Sequence, residues 1–149
     1  MDITIRPVTP ADVPAVVGMV HDLAEFEQAA HECHLTEAQL TAALFDPAPA
    51  LFGHVAVRED EPIGFALWFR NFSTWRGVHG VYLEDLYVRP GARGRGIATA
   101  LLEWLRNAMR AEGWARVYWV TRAGNEQARR LYDRFTPADD FVRYTLRQK

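Results

Sequence analysis

The sequence predicts an α/β domain, a mixed sheet with helices on both faces, in the order β-α-α-β-β-β-α-β-α-β. Short runs rich in Val, Tyr and Phe alternate with stretches of helical period. In the middle, strand-like runs follow one another without a helix, which predicts an antiparallel meander. A strand–loop–helix–strand passage from 81 to 122 then reads as a crossover, so strands 81–89 and 115–122 should be parallel neighbours.

"ITIRPV" (3–8) reads as a short first strand ended by Pro7. Thr9 can cap the helix that follows, with Pro10 at its first position. Val13, Val16, Val17, Val20 and Leu23 recur at helical spacing there. "TEAQLTAALF" (36–45) is a second short helix with Thr36 as its cap. "LFGHVAVR" and "IGFALWFRNF" form a hairpin around the turn "EDEP". "GVYLEDLYVR" is a long strand, and a helix runs from about Gly96 to Glu112 with Ile97, Leu101, Leu105 and Ala108 on one face. "ARVYWVTR" is a strand, "NEQARRLYDRF" a helix and "FVRYTLR" (141–147) a closing strand. No repeat or interdomain linker interrupts the 149 residues, so residues 1–149 are expected to form a single domain.

Composition narrows the function. With 49% hydrophobic and 24% charged residues the chain should bury a core. A net charge of −2 lacks the basic excess of a nucleic-acid binder. Cys33 is the one cysteine, so no internal disulfide can form. The first ten residues do not read as a signal peptide, and no apolar run approaches the roughly 20 residues of a membrane helix. A cytoplasmic protein with no nucleic-acid or membrane partner is expected. "HECH" holds His31, Cys33 and His34, but no second ligand pair stands at suitable spacing, so no metal site is expected.

"RPGARGRGIA" (89–98) joins a strand to a helix. The first turn of a helix leaves backbone N–H groups unpaired, and its dipole adds partial positive charge. Glycines let those groups turn toward a phosphate, and Arg89, Arg93 and Arg95 add cationic side chains. On its own the stretch fits either a pyrophosphate cradle or a tight turn with solvated arginines. It has no G-x-x-x-x-G-K-[ST], and Thr99 stands where a dinucleotide fingerprint would close.

"VYLEDLYV" sets Glu84 and Asp85 in an apolar strand. Neighbours in a strand point to opposite faces, so at least one carboxylate should meet a cleft or a partner. A functional carboxylate and a structural ion pair fit equally well at this point.

The stretch Arg93-Gly94-Arg95-Gly96-Ile97-Ala98 resembles the R/Q-x-x-G-x-G/A signature of the GNAT N-acetyltransferases. "IRPVTPADV" is similar to the family's opening strand and helix, and "NEQARRLYDRF" to its late N-x-x-A-x-x-x-Y segment. "DLAEFE" (22–27), "IGFALWF" (63–69) and "YLEDLYV" (82–88) resemble the spermidine/spermine (diamine) acetyltransferase group, which also includes enzymes for thialysine and lysine-like amino acids. There are departures. Ala98 replaces a Gly, Gly124 stands where Trp is common, and Thr136-Pro137 replaces a Gly-Ala.

The resemblance implies an acetyl-CoA-dependent N-acetyltransferase with acetyl-CoA as cosubstrate, acting on a small primary amine such as a polyamine or diamine. The alternatives are a lysine-like amino acid or other small amine as acceptor, or a coenzyme A-binding module without turnover. The resemblance implies that Arg93, Gly94, Arg95, Gly96, Ile97 and Ala98 hold the pyrophosphate. Leu86, Tyr87 and Val88 would offer backbone to the pantetheine arm, and Asn125 would touch the coenzyme. Glu84 takes the role of base and substrate carboxylate, which leaves Asp85 structural. Tyr132 becomes the acid that protonates the leaving thiolate, although its helical stripe with Ala128, Leu131 and Phe135 equally suits core packing. Phe26 and Glu27 match a Tyr-Glu pair lining the acceptor channel. A homodimer is implied as well.

Overall fold

The computed structural model describes residues 2–148, which fall into two compact units that meet between Trp119 and Val120. In the first unit β1 (Thr4–Pro7), β2 (Phe52–Arg58), β3 (Glu61–Ser73) and β4 (Val78–Val88) make an antiparallel meander. β5 (Val117–Tyr118) joins the β4 edge in parallel, through Val81↔Val117 and Tyr82↔Tyr118. This is the crossover expected from the sequence, although the strand foreseen over 115–122 keeps only its centre.

Helices cover both faces of this sheet. Val13, Val16 and Met19 of α1 (Val13–Phe26) and Leu40 and Leu44 of α2 (Glu37–Phe45) pack with Val55, Val57, Phe65, Leu67 and Tyr87. Ile97 and Leu101 of α3 (Ile97–Glu112) pack with Ala56, Ile63 and Val88 on the opposite face. Adjacent strand residues therefore belong to different cores, as the two-residue period of a strand requires. Thr36 caps α2 as expected, its hydroxyl accepting from Gln39 N–H at 3.1 Å while the Gln39 side chain accepts from Thr36 N–H at 3.0 Å.

Thr9 stands at the N-cap ahead of Pro10 as expected, and its partner is Asp12. Its N–H and hydroxyl both donate to the buried Asp12 carboxylate, at 2.8 and 3.0 Å, and the first turn, Pro10–Asp12, is a 3₁₀ turn. Arg6 donates two bonds to the same carboxylate, at 2.6 and 3.0 Å. Burial works against the charged form of Asp12, but the Arg6 and Thr9 bonds outweigh it and hold the carboxyl below its ordinary value.

In the second unit α4 (Glu126–Asp133) begins at Asn125, whose Oδ1 accepts from Ala128 N–H at 3.2 Å. Asn125, Ala128, Leu131, Tyr132 and Phe135 are half-buried, and the other residues between 120 and 140 are exposed. The helical stripe expected from the sequence is thus the sheltered face of α4. The closing strand expected over 141–147 does not form. Residues 141–148 are irregular and exposed, with no ladder among the described residues. Alternating Val142, Tyr144 and Leu146 supply strand propensity, but a strand exists only through hydrogen bonds to a neighbouring one. No helix among the described residues is long and apolar enough to cross a membrane.

Candidate active site

The glycine loop leaves β4 through a 3₁₀ turn, Pro90–Ala92, and reaches α3 at Ile97. Gly94 and Gly96 have φ of 79° and 77°, the left-handed region in which a Cβ is strained. Space does not call for glycine there, since a Cβ at either position would meet nothing within 4 Å. The turn geometry does. It delivers the N–H groups of residues 94–98 to the start of α3 without a backbone acceptor among the described residues, and the first bond onto the loop is Ala100 N–H to Gly96 O at 2.9 Å. A row of free donors on the positive end of a 16-residue helix suits an anion.

Arg93 is placed differently from the rest of the loop. Its N–H donates to Pro90 O at 3.3 Å, and its Nε donates to Val88 O at 2.9 Å. Its guanidinium carbon lies 5.2 Å from the ring centroid of Phe26 and 5.4 Å from that of Tyr87. Arg93 thus ties the loop to the end of α1 and to β4. Phe26 is otherwise open to solvent, at 59% exposure.

β4 carries a bulge inside the acidic stretch. Leu67 pairs with Asp85 and Trp68 with Leu83, so Glu84 is an extra residue with no opposite number on β3. Asp85 consequently shares the α1 face with Leu67 and Tyr87, and Leu83 shares the α3 face with Trp68. Glu84 is exposed and Asp85 is partly covered. Burial pushes the Asp85 carboxyl up to about 7, and the nearby charges of Glu84 and Glu27 push the same way. Glu27, from the end of α1, and Glu84, from the bulge, therefore both bear on Asp85, which the sequence left as structural. Among the described residues no three His, Cys, Asp or Glu side chains form a metal-binding group.

The bulge also marks where β4 loses its outer neighbour. β5 pairs with Val81 and Tyr82, and among the described residues no strand pairs with that edge from Leu83 to Val88. Leu86, Tyr87 and Val88 lie in this open stretch, with the Val88 carbonyl taken by Arg93.

The model of the acetyltransferase (GNAT) family matches residues 17–136. The chain belongs to the GNAT acetyltransferase family. It is 34% identical over 129 residues to a thialysine N-epsilon-acetyltransferase of Caenorhabditis elegans, covering 87% of this chain and 79% of the relative. It is 32% identical over 148 residues to the thialysine N-epsilon-acetyltransferase of Mus musculus, covering 93% and 85%. The crystal structure of a ribosomal-protein-alanine N-acetyltransferase from Brucella melitensis biovar Abortus 2308 has the same fold, with a TM-score of 0.81 at 20% identity over 99% of this chain and 100% of that one.

This GNAT protein is an acetyl-CoA-dependent N-acetyltransferase. In the first unit, the glycine loop, the open β4 stretch and the acidic group with Phe26 and Glu27 belong to one strand–loop–helix passage and the helix end it touches. The second unit holds Asn125 and Tyr132. Asn125 serves as the cap of α4, and the Tyr132 carbonyl accepts from Phe135 and Thr136 N–H at 2.8 and 3.1 Å.

Proposed function

We propose that this enzyme acetylates the side-chain amine of a small lysine-like amino acid. The observation that carries the reading is the convergence of Glu27 and Glu84 on Asp85, an anionic group suited to a cationic acceptor. The acetyltransferases of thialysine among its relatives support the amino-acid form of that acceptor. A diamine or polyamine is the second reading, favoured because Glu27 and Glu84 come from different elements and so offer separate partners to two ammonium groups.

The residues divide the work as follows. The N–H groups of Gly94, Arg95, Gly96, Ile97 and Ala98 hold the pyrophosphate, and the open backbone of Leu86, Tyr87 and Val88 guides the pantetheine arm. Asn125 adds a coenzyme contact. The bound coenzyme supplies an activated thioester carbonyl. An alkylammonium with a pKa of about 10.4 must lose its proton before attack, which costs about 4–5 kcal/mol at pH 7. Glu84 holds the cation, and the Glu84–Asp85 pair takes the proton. The Asp85 carboxyl, raised toward neutrality, is a better acceptor than an ordinary one. The amine nitrogen then bonds to the acetyl carbon, the carbon–sulfur bond breaks, and the Tyr132 hydroxyl gives a proton to the leaving sulfur. Residues 1–149 act as one N-acetyltransferase domain in this reading, which the family match across 17–136 supports. A cytoplasmic homodimer completes it.

Thiol release from acetyl-CoA across thialysine, lysine, ornithine, spermidine, cadaverine and a monoamine tests the acceptor. The amino acids should lead. If spermidine or cadaverine leads, the second reading replaces the first. The loop is tested by calorimetry on Gly96→Glu beside Gly96→Ala, which carries the same backbone strain without the charge. Only the Glu variant should lose most of its acetyl-CoA affinity, and equal affinities in the two would remove the phosphate role.

A further inference from the structure

Asp85 stands at one end of an aromatic strip on the α1 face of the sheet. Phe69 lies two residues beyond Leu67 on β3 and so shares that face. Leu67 pairs with Asp85, Phe69 pairs with Tyr82, and Tyr82 pairs in turn with Tyr118 on β5. The rings meet in the same order, with centroids 5.3 Å apart for Phe69 and Tyr82 and 5.0 Å apart for Tyr82 and Tyr118. The step from the Leu67–Asp85 pair to the Phe69–Tyr82 pair is about 6–7 Å along the strand. The strip is not sealed from solvent, since Phe69 and Tyr82 are half-buried and Tyr118 is 39% exposed. The Tyr118 hydroxyl accepts from Asn71 Nδ2 at 3.0 Å, which fixes the last ring.

Arg116 closes the far end of the strip. Its stem crosses Gly80, where a Cβ would lie 3.3 Å from Arg116 Cγ, and its guanidinium carbon sits 5.2 Å from the Tyr118 ring centroid. Gly80 precedes Tyr82 by two residues, so this is again the α1 face. Arg116 is exposed and has no acid within ion-pair distance among the described residues. The strip thus runs from a carboxyl pair to a guanidinium held on a ring. A second ammonium would be repelled at that end, whereas a carboxylate would meet a planar fork of donors. Lysine has four chain atoms between its side-chain amine and its α-carbon, a span of about 6 Å when extended, from bonds of about 1.5 Å. One step along the strip matches that span.

We propose that Arg116 determines acceptor specificity by binding the α-carboxylate of an amino-acid substrate whose side chain lies along Tyr82 and Tyr118 and whose reacting amine meets Glu84–Asp85. That role rests on the reading of the enzyme as an acetyltransferase of small lysine-like amines. It goes beyond that reading by naming the group that separates an amino acid from its decarboxylated diamine. Tyr118 and Asn71 act as positioning residues, one under the guanidinium and one holding the ring.

Lysine and cadaverine differ only by the carboxylate, so they form the test pair. Thiol release from acetyl-CoA is followed on the full chain for wild type, Arg116→Gln, Arg116→Lys and Arg116→Glu, each checked for folding by circular dichroism. Arg116→Gln should lower kcat/KM for lysine by about 5–20-fold, between the worth of an exposed ion pair and that of a charged hydrogen bond, chiefly through KM. Cadaverine should change by less than about 3-fold in Arg116→Gln and should gain in Arg116→Glu, where its second ammonium meets a carboxylate. Arg116→Lys should recover only part of the lysine activity, since an ammonium cannot form the fork. An equal fall for both amines in Arg116→Gln, or an unchanged lysine rate, would overturn the proposal. Calorimetric titration of lysine into the protein–coenzyme A complex reads the same contact without turnover. If wild type acetylates neither amine, the acceptor reading fails, while lysine binding that is lost in Arg116→Gln still upholds the carboxylate contact. Absence of lysine binding to wild type would overturn the contact as well.

Discussion

His54 and Asp85 are two titratable side chains covered by the same sheet, one on each face, and their surroundings have opposite chemistry. His54, on β2, faces α3. Its Nε2 meets Leu101 O at 3.0 Å, its Nδ1 accepts from Trp68 Nε1 at 3.2 Å, and its ring stacks on Trp104 with centroids 4.1 Å apart. These bonds fix one neutral tautomer, with the proton on Nε2. Burial lowers the His54 pKa to about 4, and the Leu101 carbonyl only partly opposes it. Asp85, on β4, has no ion pair among the described residues and faces two like charges, Glu84 and Glu27. One group is locked neutral by completed bonds. The other is left able to gain and lose a proton near neutral pH, which is where a proton acceptor is useful.

The largest effect should come from removing the acids. Glu84→Gln with Asp85→Asn should lower turnover at pH 7 by about 10²–10⁴-fold, the usual worth of a positioned base. Part of that loss should return at higher pH, where more amine is already neutral. In wild type, kcat/KM should rise as pH passes about 7, the value to which Asp85 is shifted. A double variant with wild-type turnover at pH 7 would break the contrast, because neither acid would then be needed.

Next comes the locked group. His54→Ala should cost about 3 kcal/mol in chemical denaturation, since it opens a cavity and strands a buried Trp68 N–H. The folded pKa of His54 lies below its unfolded value of 6.5, so its stabilising contribution is full above 6.5 and is lost as pH falls toward 4. His54→Gln has no proton to gain, and its stability should lose this slope.

A third effect sharpens the comparison most. The pKa of Asp85 is raised from 3.8 to about 7, so folding favours its neutral form, and stability from this group is lost as pH rises toward 7. The two groups therefore tilt the stability curve in opposite directions over nearly the same range. Asp85→Asn should raise Tm at pH 8, leave it nearly unchanged at pH 4, and steepen the rise of stability with pH that His54 produces. Equal Tm for wild type and Asp85→Asn at pH 8 would mean that Asp85 is not penalised on ionising.

Local chemistry was legible in the sequence, and register was not. Thr36 before α2 and the glycines ahead of α3 act within a few residues, and the cap and the turn each form as read. The parallel crossover was legible because one helix between two strands leaves few connections open. The strand expected over 141–147 depended on a partner that no local pattern specifies. Asp85 reads as structural from the sequence because the family resemblance gives the base role to Glu84, and alternation alone does not say how the two acids sit against β3. The β4 bulge is a property of two strands together, so only the pairing of Leu67 with Asp85 and Trp68 with Leu83 reveals it. The packing of Arg93 on Phe26 joins residues far apart in the chain, and no spacing rule points to it.

Removing one residue from a strand ordinarily turns over every side chain beyond the gap. At Glu84 the arithmetic runs the other way. Residues on both sides of the bulge already lie on the faces an uninterrupted ladder would give them, with Leu83, Leu86 and Val88 toward α3 and Asp85 and Tyr87 toward α1. A chain lacking Glu84 would keep both cores and regain an unbroken β3–β4 ladder. One residue thus separates a more regular sheet from one that carries an acid at its surface.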